Sequence, residues 1–311
     1  MSRPPSVWFE DIPVIGACPP AEVAQYLREI GDPETADRLV RVPEPEMRSF
    51  GFGGLLDDWF GPCHWRYTAH AFGYIAPHPP GETAPGPIVH AGNIAPDLGL
   101  RGKRVKVTLN WLRVADYPGT GMHRILFDFY ARNQSTGPDA DLHFNATYRV
   151  LEGQEAGIIG YPVFVGVNVG EEGLALRCYT VNVRNDADET FLNVLESDAF
   201  KQGLEITKTA QPAIKPLVEM AYGLTRALAK RNRNKPVQDV SLGLDFSQIP
   251  GSARLAEGAY VAVQIPDRLN AVWDWQDWVY DPSNGRMAAR DDHRKLIPYN
   301  YFVIGVSRMA D

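Results

Sequence analysis

The sequence predicts a β-rich α+β fold in which an antiparallel β-sandwich carries two inserted helices and an N-terminal segment of helices and loops. The first observation is strict alternation, because Val240, Leu242, Leu244 and Phe246 occupy every second position of one stretch, with polar residues or glycine between them. Alternation with period two is typical of a strand with one buried and one solvated face. The stretch 261–265 repeats the pattern after a turn-rich link, so we expect two neighbouring antiparallel strands here.

The second observation is that similar short stretches recur along the chain, separated by turn residues. We expect further strands at Cys63–Phe72, Ile88–Ala91, Arg104–Val114, His123–Arg132, Leu142–Val150, Val163–Val169, Leu174–Val183, Val272–Tyr280, Met287–Arg290 and Tyr299–Ser307. In the strand at 104–114, the alternation predicts one common face for Val105, Val107, Leu109 and Trp111.

The third observation is helical periodicity, which predicts helices at Ala21–Ile30, Pro33–Arg41, Asp188–Gln202 and Pro212–Arg231. Residues 75–87 contain too many prolines for a helix or an interior strand. We therefore expect residues 1–87 to form a helical and Pro/Gly-rich segment packed on a sandwich unit, residues 88–311. The helices near 188–202 and 212–231 are inserted into that unit.

Two of the predicted strands carry a resemblance to a known family. The stretches Val105–Leu112 and Arg124–Ala131, with a turn between them, resemble the early strands of C2-type β-sandwich domains. The resemblance covers roughly a third of the chain and lies in the rhythm of the strands. It implies a C2-like fold, and it assigns no functional residue.

Composition and charge exclude several classes of function. The chain has 311 residues and a net charge of −7, which disfavours nucleic-acid binding through phosphate contacts. There is no apolar run near the ~20 residues that span a bilayer, and no signal-peptide pattern. Three widely spaced cysteines suit a reducing compartment, so we expect a cytoplasmic protein. No phosphate-loop, dinucleotide or nucleophile-elbow motif is present, so we expect no cofactor. The basic run 230–235 is interpreted as the cationic end of a helix.

A polar stripe is predicted on the strand at 63–72, where His64, Arg66 and His70 would share one face. Two histidines and an arginine in that arrangement suit an anion or a metal ion. A solvated face of ordinary polar side chains is the simpler interpretation. Cys63 would point to the opposite, apolar face, so we interpret it as a buried thiol that His64 cannot activate.

Acidic residues concentrate near the C-terminus, at Asp267, Asp274, Asp277, Asp281, Asp291 and Asp292. Calcium prefers several carboxylate and carbonyl oxygens from neighbouring loops. In a C2-like protein such an ion would attract an acidic membrane. The aspartates also alternate with aromatic residues, which is more simply the pattern of a half-exposed strand, and we expect no calcium site.

Those aromatic residues are Trp273, Trp275, Trp278 and Tyr280, and Arg286 follows them, so we expect an interface on the strand and turn from Trp273 to Arg290. Aromatic anchors dominate interface energies when a partner buries them, and the chain has no local catalytic motif. We therefore predict a non-enzymatic binding or assembly module that acts through contacts with another protein or a second copy. Two alternatives stay open. One is a hydrolase or metal-dependent enzyme with a dispersed histidine site, and the other is a calcium-dependent, membrane-associating C2-like protein.

Overall fold

The computed structural model describes residues 8–40, 63–79, 81, 83–134, 140–156, 158, 160–195, 204–205, 211–247, 249, 252–270 and 272–309. The chain is β-rich, with mainly antiparallel sheets and few helices. The α-helices are α1 (Pro20–Glu29), α2 (Pro33–Val40), α3 (Glu189–Leu195) and α4 (Gln211–Ala229). Within these ranges, no helix is both long enough and apolar enough to cross a membrane.

The strands of the first half are β1 (Ala69–Ile75), β2 (Gly86–Pro87), β3 (Val89–His90), β4 (Arg104–Arg113), β5 (Met122–Asn133), β6 (Ala140–Leu151), β7 (Glu155–Ala156) and β8 (Tyr161–Asn168). Those of the second half are β9 (Gly173–Val183), β10 (Leu204–Glu205), β11 (Asn234–Asp245), β12 (Ala253–Arg254), β13 (Gly258–Ile265), β14 (Trp278–Asp281), β15 (Arg286–Ala289) and β16 (Tyr301–Arg308). Most of the predicted strands are therefore present.

These strands form an eight-stranded, a five-stranded and a three-stranded sheet. The eight-stranded sheet has the order β10-β8-β4-β16-β13-β1-β3, with β7 beside β4. The five-stranded sheet has the order β12-β11-β9-β5-β6, and the small sheet has the order β15-β14-β2. The pairs β8–β10 and β11–β12 are parallel, while the long pairings are antiparallel. Strand β1, from the predicted N-terminal segment, pairs with β13 from Ala69 to Ile75 and so belongs to the largest sheet.

Both large sheets have buried apolar residues on both faces. Phe127 of β5 and Phe302 of β16 lie 6.1 Å apart in one apolar core that the two sheets share. On its other face, the five-stranded sheet packs against Trp8, Phe9 and residues of α3 and α4. On its other face, the eight-stranded sheet packs against residues of the small sheet, including Met287. Continuous apolar stretches in these strands reflect this double burial.

The strands predicted as neighbours at 240–246 and 261–265 do not pair with each other. Strand β11 pairs with β9, whereas β13 pairs with β1 and β16. Leu242 and Ala262 nevertheless enter the same core. The turn-rich link therefore carries the chain from one sheet to the other, which alternation alone does not distinguish from a hairpin.

Two predicted strands begin later in the structure than in the sequence prediction, because a 3₁₀ turn precedes each of them. The stretch 63–72 begins with a 3₁₀ turn, His64–Arg66, and the strand starts only at Ala69. The stretch 272–280 contains a 3₁₀ turn, Trp275–Asp277, because the Asp274 side chain accepts a hydrogen bond from the Gln276 amide at 2.8 Å. Such local side-chain bonds compete with strand pairing. Helix α3 is described to Leu195, and the rest of its predicted range lies outside the described residues.

Candidate functional site

A β-bulge in β4 decides which way Trp111 points. In the pairing of β4 with β16, Trp111 lies opposite Val303 and Leu109 lies opposite Ile304, so Asn110 is an extra residue. One extra residue moves the following side chains to the opposite face. Leu109 lies in the core between the large sheets, whereas Trp111 packs on the far face of the eight-stranded sheet. The predicted common face of Val105 to Trp111 is therefore wrong at Trp111.

Trp111 lines a cleft of about 310 Å³ between the eight-stranded sheet and the hairpin of β14 and β15. The hairpin contributes Tyr280, Pro282 and Gly285, and the loop after β1 contributes His78. Asn110, the bulge residue, lies beside Trp111 in the lining. This volume is at the lower end of the ~300–1,000 Å³ of typical ligand sites. The cleft is thus large enough to hold a few ligand groups.

The turn of the hairpin lies directly against the Trp111 ring. Gly285 has a φ of 74°, and a Cβ atom added there would approach Trp111 Cζ3 to 2.6 Å. The turn is closed by Asp281, which accepts hydrogen bonds from the Ser283 amide at 2.9 Å and from Asn284 Nδ2 at 2.8 Å. Glycine is therefore required at 285, both for the left-handed backbone and for the contact with the indole.

Three polar side chains lie in this cleft. The His78 and Tyr280 rings are 5.5 Å apart, and neither makes a side-chain hydrogen bond to the described part of the chain. Asn110 Oδ1 accepts a hydrogen bond from the Thr108 hydroxyl at 2.7 Å, which leaves the amide Nδ2 for another acceptor. Burial, with a smaller effect of Asp281, raises the pKa of Tyr280. The ordinary pKa of tyrosine is already about 10, so the phenol is a hydrogen-bond donor at neutral pH.

The predicted aromatic surface is divided between the cleft and the interior. Trp275 is buried, and Trp273 stacks on Trp278 with centroids 5.7 Å apart. Tyr280 is the aromatic residue of this group that lines the cleft. Arg286 follows Gly285 of the hairpin turn and is exposed, and its Nε lies 3.1 Å from Glu155 Oε2.

The predicted polar stripe at 64–70 is mostly buried. His64 and Arg66 are only 7% and 4% exposed, so a solvated face is the wrong interpretation for them. Their 3₁₀ turn is the reason, because it removes the strand alternation that would have placed them outside. Burial, helped by the charge of Arg113, lowers the pKa of His64 to about 4. Burial likewise lowers the pKa of His70 to about 4, so both rings are neutral at physiological pH.

The structure connects two predicted sets that are far apart in sequence. The His64 ring lies 5.1 Å from Tyr299, and Tyr299 lies 5.9 Å from Trp273. Cys63 is half-buried against the main core rather than fully buried, because it precedes the turn instead of lying in a strand.

Three of the six acidic residues near the C-terminus interact within their own turns. Asp274 and Asp281 cap turns, and Asp292 pairs with Arg294 at 3.0 Å. Over the described ranges, no three His, Cys, Asp or Glu side chains lie where they could share a metal ion. In the basic run, Lys230 pairs with Asp11 at 3.2 Å and Lys235 pairs with Glu22 at 2.7 Å.

A buried polar network brings one histidine together with a carboxylate. His143 Nδ1 lies 2.7 Å from Asp128 Oδ1, and Asn145 Nδ2 donates to Asp128 Oδ2 at 3.2 Å and to the Thr225 hydroxyl at 2.9 Å. Asp128 is fully buried and His143 is 4% exposed, beneath the ring of Trp8. A substrate has no open approach to this pair, so we assign the network to the packing of α4 on the sheet.

No family model matches this sequence, and neither a curated protein nor a solved structure shows significant similarity to it. The C2 resemblance therefore stays a prediction. Sequence reasoning missed Trp111, His78 and Asn110 as site residues. The signal for the bulge is a change of phase, because the apolar positions are 105, 107 and 109 before Asn110 and 112 and 114 after it.

Proposed function

We propose that the protein is a non-enzymatic binding module that takes an extended segment of another protein into the cleft between Trp111 and Tyr280. The observation that supports this is a concave surface with two half-buried aromatic side chains, Trp111 and Tyr280. The bulge in β4 turns Trp111 towards this surface. Bulges are over-represented where a strand must present a side chain to a site. As the frame for this cleft we propose an antiparallel β-sandwich of C2-like type, formed by the two large sheets.

Part of the cleft lining belongs to the segment where the sequence predicts an interface. Tyr280, Pro282 and Gly285 belong to the segment 273–290, which carries the predicted aromatic anchors. Tyrosine and tryptophan contribute large contact areas and a polar tip, which suits them to recognition. The histidine-based enzyme has less support, because the Asp128–His143 pair is buried beneath Trp8.

The test is selection from a random peptide display library on the wild-type protein, followed by binding measurements on two variants. Tyr280→Ala removes a cleft wall, whereas Phe191→Ala removes a 41% exposed aromatic residue on α3. We expect Tyr280→Ala to weaken the selected peptides by about tenfold or more, which corresponds to about 1.4 kcal/mol, and Phe191→Ala to leave them unchanged. Peptides that bind both variants equally would contradict the assignment to the cleft.

Sedimentation analysis of the oligomeric state distinguishes binding of another protein from binding of a second copy of this chain. If the wild type is monomeric, the ligand is another molecule, as we propose. If it is a dimer that Tyr280→Ala or Trp278→Ala dissociates with unchanged circular dichroism, the occupant is a second copy and the proposal of a foreign segment is wrong.

A further inference from the structure

The walls and the polar groups of the cleft together select a ligand conformation. The indole of Trp111, from the eight-stranded sheet, and the phenol of Tyr280, from the hairpin, both line the cleft. Proline rings in a polyproline II helix dock on aromatic-lined grooves of this kind, with little loss of conformational entropy because the helix is preformed. The aromatic walls therefore fit proline side chains.

The polar groups of the cleft fit the backbone of the same ligand. A polyproline II segment makes no internal hydrogen bonds, so its carbonyl oxygens need donors from the protein. Because Asn110 accepts the Thr108 hydrogen bond through its Oδ1 atom, its Nδ2 group can donate to a ligand. The phenol of Tyr280 is protonated at neutral pH, since the ordinary pKa of tyrosine is about 10 and burial raises the pKa of Tyr280 further. With the His78 imidazole, the cleft offers three side chains that can donate to such carbonyls.

Other peptide conformations fit the cleft less well. Strand addition needs free backbone groups, but β16 is paired with β4 and β13, and β13 with β16 and β1. Strand β4 is paired with β16 on one side, and on the other side with β8 up to Leu109 and with β7 from Leu112. An α-helix satisfies its own backbone and has no use for side-chain donors. An extended segment that lacks internal hydrogen bonds is the conformation that uses both the donors and the rings.

We propose that the cleft binds a proline-rich protein segment in the polyproline II conformation, with proline rings on Trp111 and Tyr280 and backbone carbonyls bonded to the Asn110, Tyr280 and His78 side chains. This inference rests on the proposed binding function and names its ligand class.

The test uses a blocked proline decapeptide as the probe and a Gly-Ser decapeptide as the length-matched control, titrated by isothermal calorimetry. We expect saturable binding of the proline peptide alone. Tyr280→Phe, which removes only the hydroxyl, should weaken binding about threefold to tenfold, as expected for one hydrogen bond. Trp111→Ala should weaken it more. Equal binding of the two peptides, or proline binding that both variants retain in full, would overturn the inference.

Display selection on the wild type with counter-selection on Trp111→Ala distinguishes the two proposals. Enriched peptides with repeated prolines support both the cleft and the ligand class. Enriched peptides that need Trp111 but lack proline keep the binding function and overturn the ligand class. A selection that enriches no peptide dependent on Trp111 overturns both.

Discussion

Replacement of Gly285 by alanine tests whether the hairpin turn rests on the bulge-directed tryptophan. The new Cβ atom would lie 2.6 Å from Trp111 Cζ3 and 2.9 Å from Cε3, about 1 Å inside the ordinary carbon–carbon separation of ~3.5–4.0 Å. A left-handed backbone costs a non-glycine residue about 1–2 kcal/mol, and overpacking adds about 1–3 kcal/mol. We therefore expect Gly285→Ala to lower the free energy of unfolding by about 2–5 kcal/mol.

The chain offers a matched control at Gly153, which has the same φ of 74° but nothing within 4 Å of an added Cβ atom. Gly153→Ala should show only the backbone cost of about 1–2 kcal/mol. In a Trp111→Ala background the extra cost of Gly285→Ala should disappear, because the clashing ring is gone. Urea unfolding followed by far-UV circular dichroism measures all four changes. The reasoning is refuted if Gly285→Ala costs no more than Gly153→Ala, or if its extra cost persists without the indole.

Three further predictions concern charged and titratable groups. Burial lowers the pKa of His123 from 6.5 to about 4, so the unfolded chain takes up the proton first as pH falls. The contribution of the neutral His123 to the free energy of unfolding is therefore complete above pH ~6.5 and is lost as pH falls towards ~4, with a loss of about 2 kcal/mol at pH 5. His123→Leu should flatten this part of the curve of unfolding free energy against pH. An unchanged slope would contradict the lowered pKa of His123. Arg231→Ala leaves the fully buried Asp188 carboxylate with Asn234 as its remaining described partner. We therefore expect the free energy of unfolding, measured in urea, to fall by about 1–3 kcal/mol. An unchanged free energy would show that Asp188 is solvated. Millimolar calcium should leave the melting temperature unchanged, whereas a rise of several degrees that Asp281→Asn abolishes would support the calcium alternative.

Much of the fold could be predicted because alternation is a local signal. Val240, Leu242 and Leu244 are buried while Ser241 and Gly243 are exposed, as period two requires. The partner of each strand is not a local property. Strands β11 and β13 are close in sequence but lie in different sheets, since both place apolar residues in the shared core and the link between them is long enough to cross it.

The candidate site was predictable only in part. The aromatic residues of the segment 273–290 predict an interface there, and the segment does supply Tyr280 to the cleft. Its tryptophans are largely internal, because the turn at Trp275–Asp277 folds Trp273 and Trp278 onto each other. Trp111 lies in β4, 169 positions before Tyr280, and the one extra residue of the bulge turns its side chain to the opposite face. Such a reversal changes the phase of alternation by a single position, which a search for regular period two overlooks.

The most direct measurement of the binding site is the NMR spectrum of the indole N–H groups during titration with a display-selected peptide. The Trp111 resonance is assigned with Trp111→Phe, and Trp8, which packs on the far side of the five-stranded sheet, serves as the internal reference. Binding in the cleft predicts a saturable shift of the Trp111 signal with no change at Trp8. A peptide that binds but leaves the Trp111 signal unmoved, or moves Trp8 instead, would contradict it.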